Sequence, residues 1–242
     1  MKRYYFVIAS ILVLVMGIIS CSNEETKKQN QVVARPTIPI QQNTVTDIDG
    51  NIYKIVTIGN QSWTQTNLNV SRYRNGDLIP QIQNESLWAD LYWQNLTTGA
   101  WCYYENQTEN GIEYGKLYNW YAVNDPRGLA PNGYHVPTDT EWNTLVTHLG
   151  GASVAGGKMK ATFLWASPNG GATNSSRFTG LPGGNRDNNG TFDRVELDGV
   201  WWSSSESATQ GAWMRAIGFV NGSIGRAGFH KTFGYSVRCI KN

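Results

Sequence analysis

Apolar and polar positions divide the chain into three stretches. From Tyr4 to Ile19 the residues are apolar almost without a break, interrupted by Ser10 and Gly17. From Ser22 to Asn43 they are largely polar, include Pro36 and Pro39, and show no helical or strand periodicity. From Thr44 onward, short apolar runs alternate with Gly, Asn, Ser and Thr clusters. The first run follows Lys2-Arg3, lies at the extreme N-terminus and is short for a membrane span. It therefore reads as a signal peptide over residues 1–20. Residues 21–43 read as a flexible tether. Residues 44–242 read as one domain, long enough to bury a substantial core.

Within that domain, local patterns predict individual elements. Asp49-Gly50 sits between Val45-Thr46 and Ile52–Val56, and Gly supplies the positive φ of a tight hairpin turn. Gly59-Asn60 marks a second turn before Trp63. Leu87, Trp88 and Leu91 have helical spacing, which predicts a short helix over residues 84–92. Leu117, Tyr118 and Tyr121 do the same over 114–123, ahead of Pro126. The strongest helix runs from Asp139 to Leu149. Thr138 is its N-cap, Glu141 completes a capping box, and Trp142, Leu145, Val146 and Leu149 form one stripe. Gly150 stops it. Strands are expected at Val200–Ser203, Trp213–Val220 and Tyr235–Ile240. In the second of these, large residues alternate with small ones at a period of two. Residues 221–233 read as a Gly- and Ser-rich excursion between strands.

Composition sharpens the picture. Ten Trp and 12 Tyr stand beside 26 Gly. Leu, Ile and Val are sparse in the domain, so aromatic rings must fill the core beneath long, turn-rich loops. This fits neither a parallel α/β sheet nor a helical bundle. Once Lys2 and Arg3 are removed, 18 of the 20 basic residues remain against 18 acidic ones. With no basic stripe, nucleic acid is excluded as the expected partner.

Several blocks carry a family resemblance. They are Trp63-x-x-x-Asn67-Leu68, Ala100-Trp101-Cys102-Tyr103-Tyr104, Tyr114-Gly115-Lys116-Leu117-Tyr118-Asn119-Trp120 and the run from Pro131 to Trp142. Leu181-Pro182-Gly183-Gly184, Trp201-Trp202-Ser203-Ser204 and the run from Ser236 to Lys241 complete the set. In order and spacing they resemble the Fibrobacter succinogenes major paralogous domain family, from Thr46 to the C-terminus. The Pro-Thr-Asp-x-Glu-Trp helix start and the Arg-Cys ending are also similar to formylglycine-generating-enzyme-like domains, which share the C-type-lectin-like fold. The resemblance implies an α+β, C-type-lectin-like fold: two small antiparallel sheets, a few short helices and long loops. Two positions depart from it: Ala130 stands where relatives carry Cys, and Tyr134 where they carry Trp. Separately, Ser20-Cys21 resembles the lipobox of bacterial lipoproteins, which implies lipidation of Cys21. Ser22-Asn23-Glu24-Glu25 resembles the surface-export signal of some lipoproteins. Together they imply a lipid-anchored protein of the outer membrane, with its outer face favoured and the inner leaflet as the alternative.

Candidate chemistry is sparse. Cys102 and Cys239 form an even pair in an exported chain, which suits either a disulfide or two buried thiols. No nearby cysteine pair exists for formylglycine generation. His135, His148 and His230 lie at no ligand spacing, and His135 reads as a structural residue. The segment Asp187–Asp193 has oxygen ligands and a Gly, but lacks the spacing of a calcium loop and reads as a turn. No metal site or cofactor is assigned, and calcium is unsupported. Asp139 and Glu141 are explained by the helix dipole and cap. Ser203–Glu206 has no nucleophile elbow, and Gly156-Gly157-Lys158 lacks the rest of a phosphate loop. Trp101, Trp120, Trp142, Trp201 and Trp202 read as core. Lectin-like folds vary their ligand-binding surface in the late region, which makes Asn221, Ser223, Arg226, Phe229 and His230 the candidate ligand-binding residues. The resulting expectation is a membrane-anchored, non-catalytic binding or adhesion domain for a glycan or protein ligand. The alternatives are a structural subunit of a surface assembly and an enzyme with an unrecognised site.

Overall fold

Turn chemistry organises the first sheet. Gly50, at φ +88°, lets the chain reverse between β1 (Thr44–Thr46) and β2 (Ile52–Ile58), which pair with Val45 opposite Tyr53. Asp47 fastens this hairpin. Its carboxylate accepts the backbone N–H of Asp49 and Asn51 at 2.9 and 3.0 Å, and the Tyr53 hydroxyl at 2.5 Å. Gly59-Asn60 then leads into β3 (Gln61–Thr64), with Ile58 opposite Gln61. The computed structural model describes residues 43–83 and 93–242. These lie in the second of the two units into which the chain divides, 1–40 and 41–242. The signal peptide, Cys21 and the predicted helix over 84–92 fall outside the described residues.

Two five-stranded sheets form the frame. In the first, β12 (Ile240–Lys241) lies between β3 and β6 (Tyr134–His135), so the end of the domain completes a sheet begun at its start. The second runs β11 (Gly225–His230), β10 (Gly211–Gly218), β9 (Asp198–Ala208), β7 (Gly183–Arg186) and β8 (Phe192–Val195). All of its pairs are antiparallel except β7 with β9, one departure from an all-antiparallel reading. A short ribbon joins β4 (Trp101–Cys102) to β5 (Leu117–Tyr118). With short helices and long loops, the architecture is α+β.

The α-helices lying wholly within the described residues are α1 (Thr108–Tyr114), α2 (Trp120–Val123), α3 (Asp139–His148) and α4 (Ala152–Met159). The capping box of α3 is present as the sequence predicts: Thr138 Oγ1 accepts from Glu141 N–H, and Glu141 accepts from Thr138 N–H. The helix predicted over 114–123 is not continuous. Gly115, at φ +77°, ends α1, Leu117 and Tyr118 enter β5, and Asn119 caps a new helical turn through Ala122 N–H. Among the described residues, no helix is long and apolar enough to cross a membrane.

Adjacent side chains of a strand point to opposite faces. Trp201 and Trp202 of β9 use this to fill two different clusters. Trp201 meets Trp142 and Phe178 beside Trp63. Trp202 meets Tyr235 with ring centres 4.5 Å apart. Their indole N–H groups donate to Asn67 Oδ1 at 2.8 Å and Tyr118 C=O at 2.9 Å. Trp101, Trp120 and Trp142 are buried too, each donating to a backbone carbonyl.

The two cysteines do not form the bridge left open by the sequence. Both are free and buried. Cys239 belongs to the cluster around Trp202, and Cys102 to a separate one with Trp93 and Leu117. Burial pushes the Cys102 thiol up to about 11 and the Cys239 thiol further in the same direction.

Candidate functional site

The segment 221–233 is not a loop excursion along its length. Residues 225–230 form β11, paired with β10 from Gly211–His230 to Ala216–Gly225. Gly225 and Gly228 disguise a strand whose form depends on pairing with the preceding strand β10. β11 is the outer strand of its sheet, exposed at five of its six positions. Its face toward solvent has no backbone partner among the described residues, the condition that makes an edge available to another molecule.

The structure does not bring the five candidate ligand-binding residues together. Asn221 Oδ1 accepts the backbone N–H and hydroxyl of Ser223 at 2.9 and 2.6 Å. The Asn221 carbonyl accepts Lys160 Nζ at 2.9 Å. This turn lies directly on α4, where a Cβ on Gly156 would meet the Ser223 carbonyl at 2.2 Å. Gly156-Gly157 therefore permits close packing, and Asn221 and Ser223 serve the fold. Arg226, the second residue of β11, is also engaged. It donates to both oxygens of Asp139 at 2.9 Å and lies 3.3 Å above the Trp213 ring.

Phe229 and His230 remain at the far end. Phe229 is 36% exposed and contacts Phe233 and Tyr235 at ring-centre distances of 5.1 and 6.1 Å. His230 Nδ1 is 2.8 Å from Thr232 Oγ1, and its neighbour Lys231 pairs with Glu206 at 2.6 Å over Trp120. Strand alternation points Phe229 and Arg226 to opposite faces. All five candidates are exposed, and at the Phe229–His230 end Phe233 continues an aromatic shelf.

Sequence reasoning missed the partner set of Asp139. Arg215 and Arg226 stand directly opposite each other on β10 and β11. Two guanidinium groups so placed repel. The Asp139 carboxylate lies between them, 2.8 Å from Arg215 and 2.9 Å from Arg226. Burial alone would raise the Asp139 carboxyl, but the two arginines hold it below the ordinary carboxylate value. Burial draws Arg215 below its ordinary value, against the pull of Asp139. Asp139 was adequately explained as a first-turn acid, and only the strand register reveals its second task.

Other candidates resolve into structure. His135 bridges Asn242 Oδ1 at 2.7 Å and Glu141 Oε1 at 2.8 Å, so both ring nitrogens are engaged. Residues 187–191 make the turn joining β7 to β8, with Asp187 N–H donating to Thr191 C=O.

Buried cations are a second feature the sequence did not announce. Arg238 donates to Asn67 Oδ1 at 2.7 Å and to the carbonyls of Thr64, Phe178 and Thr179, each at 2.8 Å. Burial pulls its guanidinium down to about 9. Lys160 donates to the carbonyls of Gly170, Gly218 and Asn221. Arg186 donates to Gly190 and Ile82 carbonyls between the rings of Trp93 and Phe192. In a fold with few ladders, these side chains satisfy the carbonyls of irregular loops.

The family model of the Fibrobacter succinogenes major domain matches residues 56–241. The chain belongs to this family. No curated protein and no solved structure matches it. In this Fibrobacter succinogenes major domain the matched span runs from β2 to β12. It takes in β11, the Asp139 pairings and the Arg238 staple, and leaves the β1 strand outside.

Proposed function

We propose that this chain is a lipid-anchored envelope protein whose domain is a non-catalytic binding or adhesion module for a glycan or protein ligand. We further place its fold with the C-type-lectin-like and formylglycine-generating-enzyme-like domains. The observation that carries the reading is the outer edge of β11, exposed along most of its length and ending in Phe229 and His230. Aromatic rings beside a polar tip suit sugar faces and protein hot spots alike. Asp139, Glu141 and His135, the polar groups nearest a catalytic vocabulary, are bonded to structural partners. The anchor rests on Lys2-Arg3, the apolar run and Ser20-Cys21, with an outer-membrane, surface-facing location drawn from Glu24-Glu25.

An unpaired edge also favours a second reading, a structural subunit that adds a strand to a neighbour in a surface assembly. One experiment separates the two. Intact cells are shaved with protease, and the released fragment is screened on a glycan array and in pull-downs beside Phe229→Ala and Ala227→Pro variants. A ligand lost with Phe229→Ala supports the binding module. A stoichiometric partner lost only with Ala227→Pro supports the assembly. No ligand above background with β11 intact counts against both. Mass spectrometry of Cys21 checks the anchor, which a bare thiol on an uncleaved leader would overturn.

A further inference from the structure

At the other end of α3 from Asp139, about 15 Å away at 1.5 Å rise per residue, lies a cavity of about 410 Å³. The β2–β3 turn (Thr57, Gly59), the last turn of α3 (His148) and the segment Ser175–Arg177 line it. No carboxylate is among its lining residues. Arg177 sets this cavity apart. Among the described residues, the other arginine guanidinium groups each donate to a carboxylate, a carbonyl or an amide oxygen. Arg177 alone makes no side-chain hydrogen bond or ion pair there, and it is exposed.

The backbone beneath Arg177 is costly and firmly held. Asn174, Arg177 and Thr179 all have positive φ, at 47°, 60° and 54°. A left-handed non-Gly residue persists only where its surroundings impose it. Here they do: the buried Arg238 grips the carbonyls of Phe178 and Thr179, Gln65 Nε2 donates to the Arg177 carbonyl at 3.0 Å, and Asn174 Oδ1 accepts Thr179 N–H at 2.9 Å. A rigid base thus presents a free guanidinium. The Ser175 hydroxyl adjoins it, the Ser176 hydroxyl being already spent on the Lys158 carbonyl at 2.8 Å, and Lys158 Nζ reaches the α3 terminus at Gly150. The carbonyls of Leu145, Thr147 and Val146 accept the N–H groups of Leu149, Gly150 and Gly151, and the negative end of the helix dipole is a cost that the guanidinium must outweigh.

We infer that the cavity between Arg177 and His148 is an oxyanion-binding site, taking the carboxylate or sulfate group of an acidic ligand. Arg177 supplies the fork that matches such a group in two parallel hydrogen bonds, and His148 and the Ser175 hydroxyl complete the lining. The site shares no residue with β11 and stands independently of the function proposed above.

The test is calorimetric titration of the full chain at fixed ionic strength with sodium sulfate, with an oligogalacturonate, and with a neutral galactose oligomer. The anions bind and the neutral oligomer does not. Arg177→Gly lowers anion affinity at least tenfold while leaving Tm unchanged or raised, because Gly tolerates the left-handed backbone. Arg177→Asn behaves alike, and Phe229→Ala leaves anion binding intact. Binding of sulfate alone assigns the site to a free ion, and binding of oligogalacturonate alone to an acidic glycan; either supports the inference. It is overturned if no anion binds, or if Arg177→Gly binds as the wild type does.

Discussion

Arg238 and Arg215 are both fully buried, one beside each large sheet, yet they are held in different ways. Arg238 has no carboxylate partner among the described residues and donates to three backbone carbonyls and an amide oxygen. Arg215 shares a carboxylate with Arg226 and reaches Asn143 Oδ1 at 2.7 Å. The difference follows from what each must fix. Around Arg238 the end of β3 with the loop after it and the segment at Phe178-Thr179 converge and their carbonyls need donors, so a planar cation serves as a branching hydrogen-bond hub. Around Arg215 a helix end must dock on a strand, and a charge pair does that while cancelling the repulsion from Arg226. One site is stabilised chiefly by geometry and the other by ionisation, so they should fail under different insults.

The largest effect is expected at the hub. Arg238→Met orphans three buried carbonyls in two segments and should destabilise the domain by about 4 kcal/mol, enough to unfold a marginal domain. Urea denaturation measures this, and Arg238→Lys should rescue little because an ammonium cannot span the same partners. Retention of wild-type stability by Arg238→Met would remove the hub from the account.

Next comes Asp139→Asn, which leaves Arg215 buried without its counter-ion and should cost about 2 kcal/mol at neutral pH. The pH dependence separates the two sites. The folded Asp139 carboxyl lies below its ordinary value of 3.8. Its contribution is therefore complete above that value and is lost as pH falls through the depressed one. The stability gap between wild type and Asp139→Asn should shrink below about pH 4, whereas the gap for Arg238→Met should not narrow through this carboxylate. A pH-independent Asp139→Asn gap would show that shape rather than charge holds α3 to β10.

Arg226→Ala removes the exposed half of the pairing and its stacking on Trp213. Solvent screening limits the loss to about 0.5–1 kcal/mol, readable as a small fall in Tm with Arg215 and Asp139 still paired. Smallest of all, reductant should leave Tm unchanged, since Cys102 and Cys239 are free. Neither thiol should react with a thiol reagent until the domain unfolds, because burial keeps both protonated. A reductant-sensitive Tm would restore the bridge.

Local rules made some of this legible in the sequence. Asp49-Gly50, Gly59-Asn60 and the Thr138–Glu141 box each place their element because turn and cap chemistry reside in adjacent residues. Leu117 and Tyr118 misled because a spacing of three to four also arises where a short strand abuts a helical turn. β11 was hidden because its Gly-rich sequence has no strand preference of its own and takes its form from β10. The task of Asp139 was hidden by a sufficient local explanation. Arg177 could not have been singled out, since neither its left-handed backbone nor the absence of a partner leaves a trace in composition or spacing.

The back-to-back indoles of β9 make that strand intolerant of sliding. A shift by one position would send Trp201 into the space shaped for Trp202 and the reverse, stranding both ring N–H groups at once. Single-codon insertions or deletions just ahead of Trp201 would therefore damage two interiors together. Point substitutions on either ring would damage only one. In this chain a change of length within β9 is thus expected to cost more than any single replacement there.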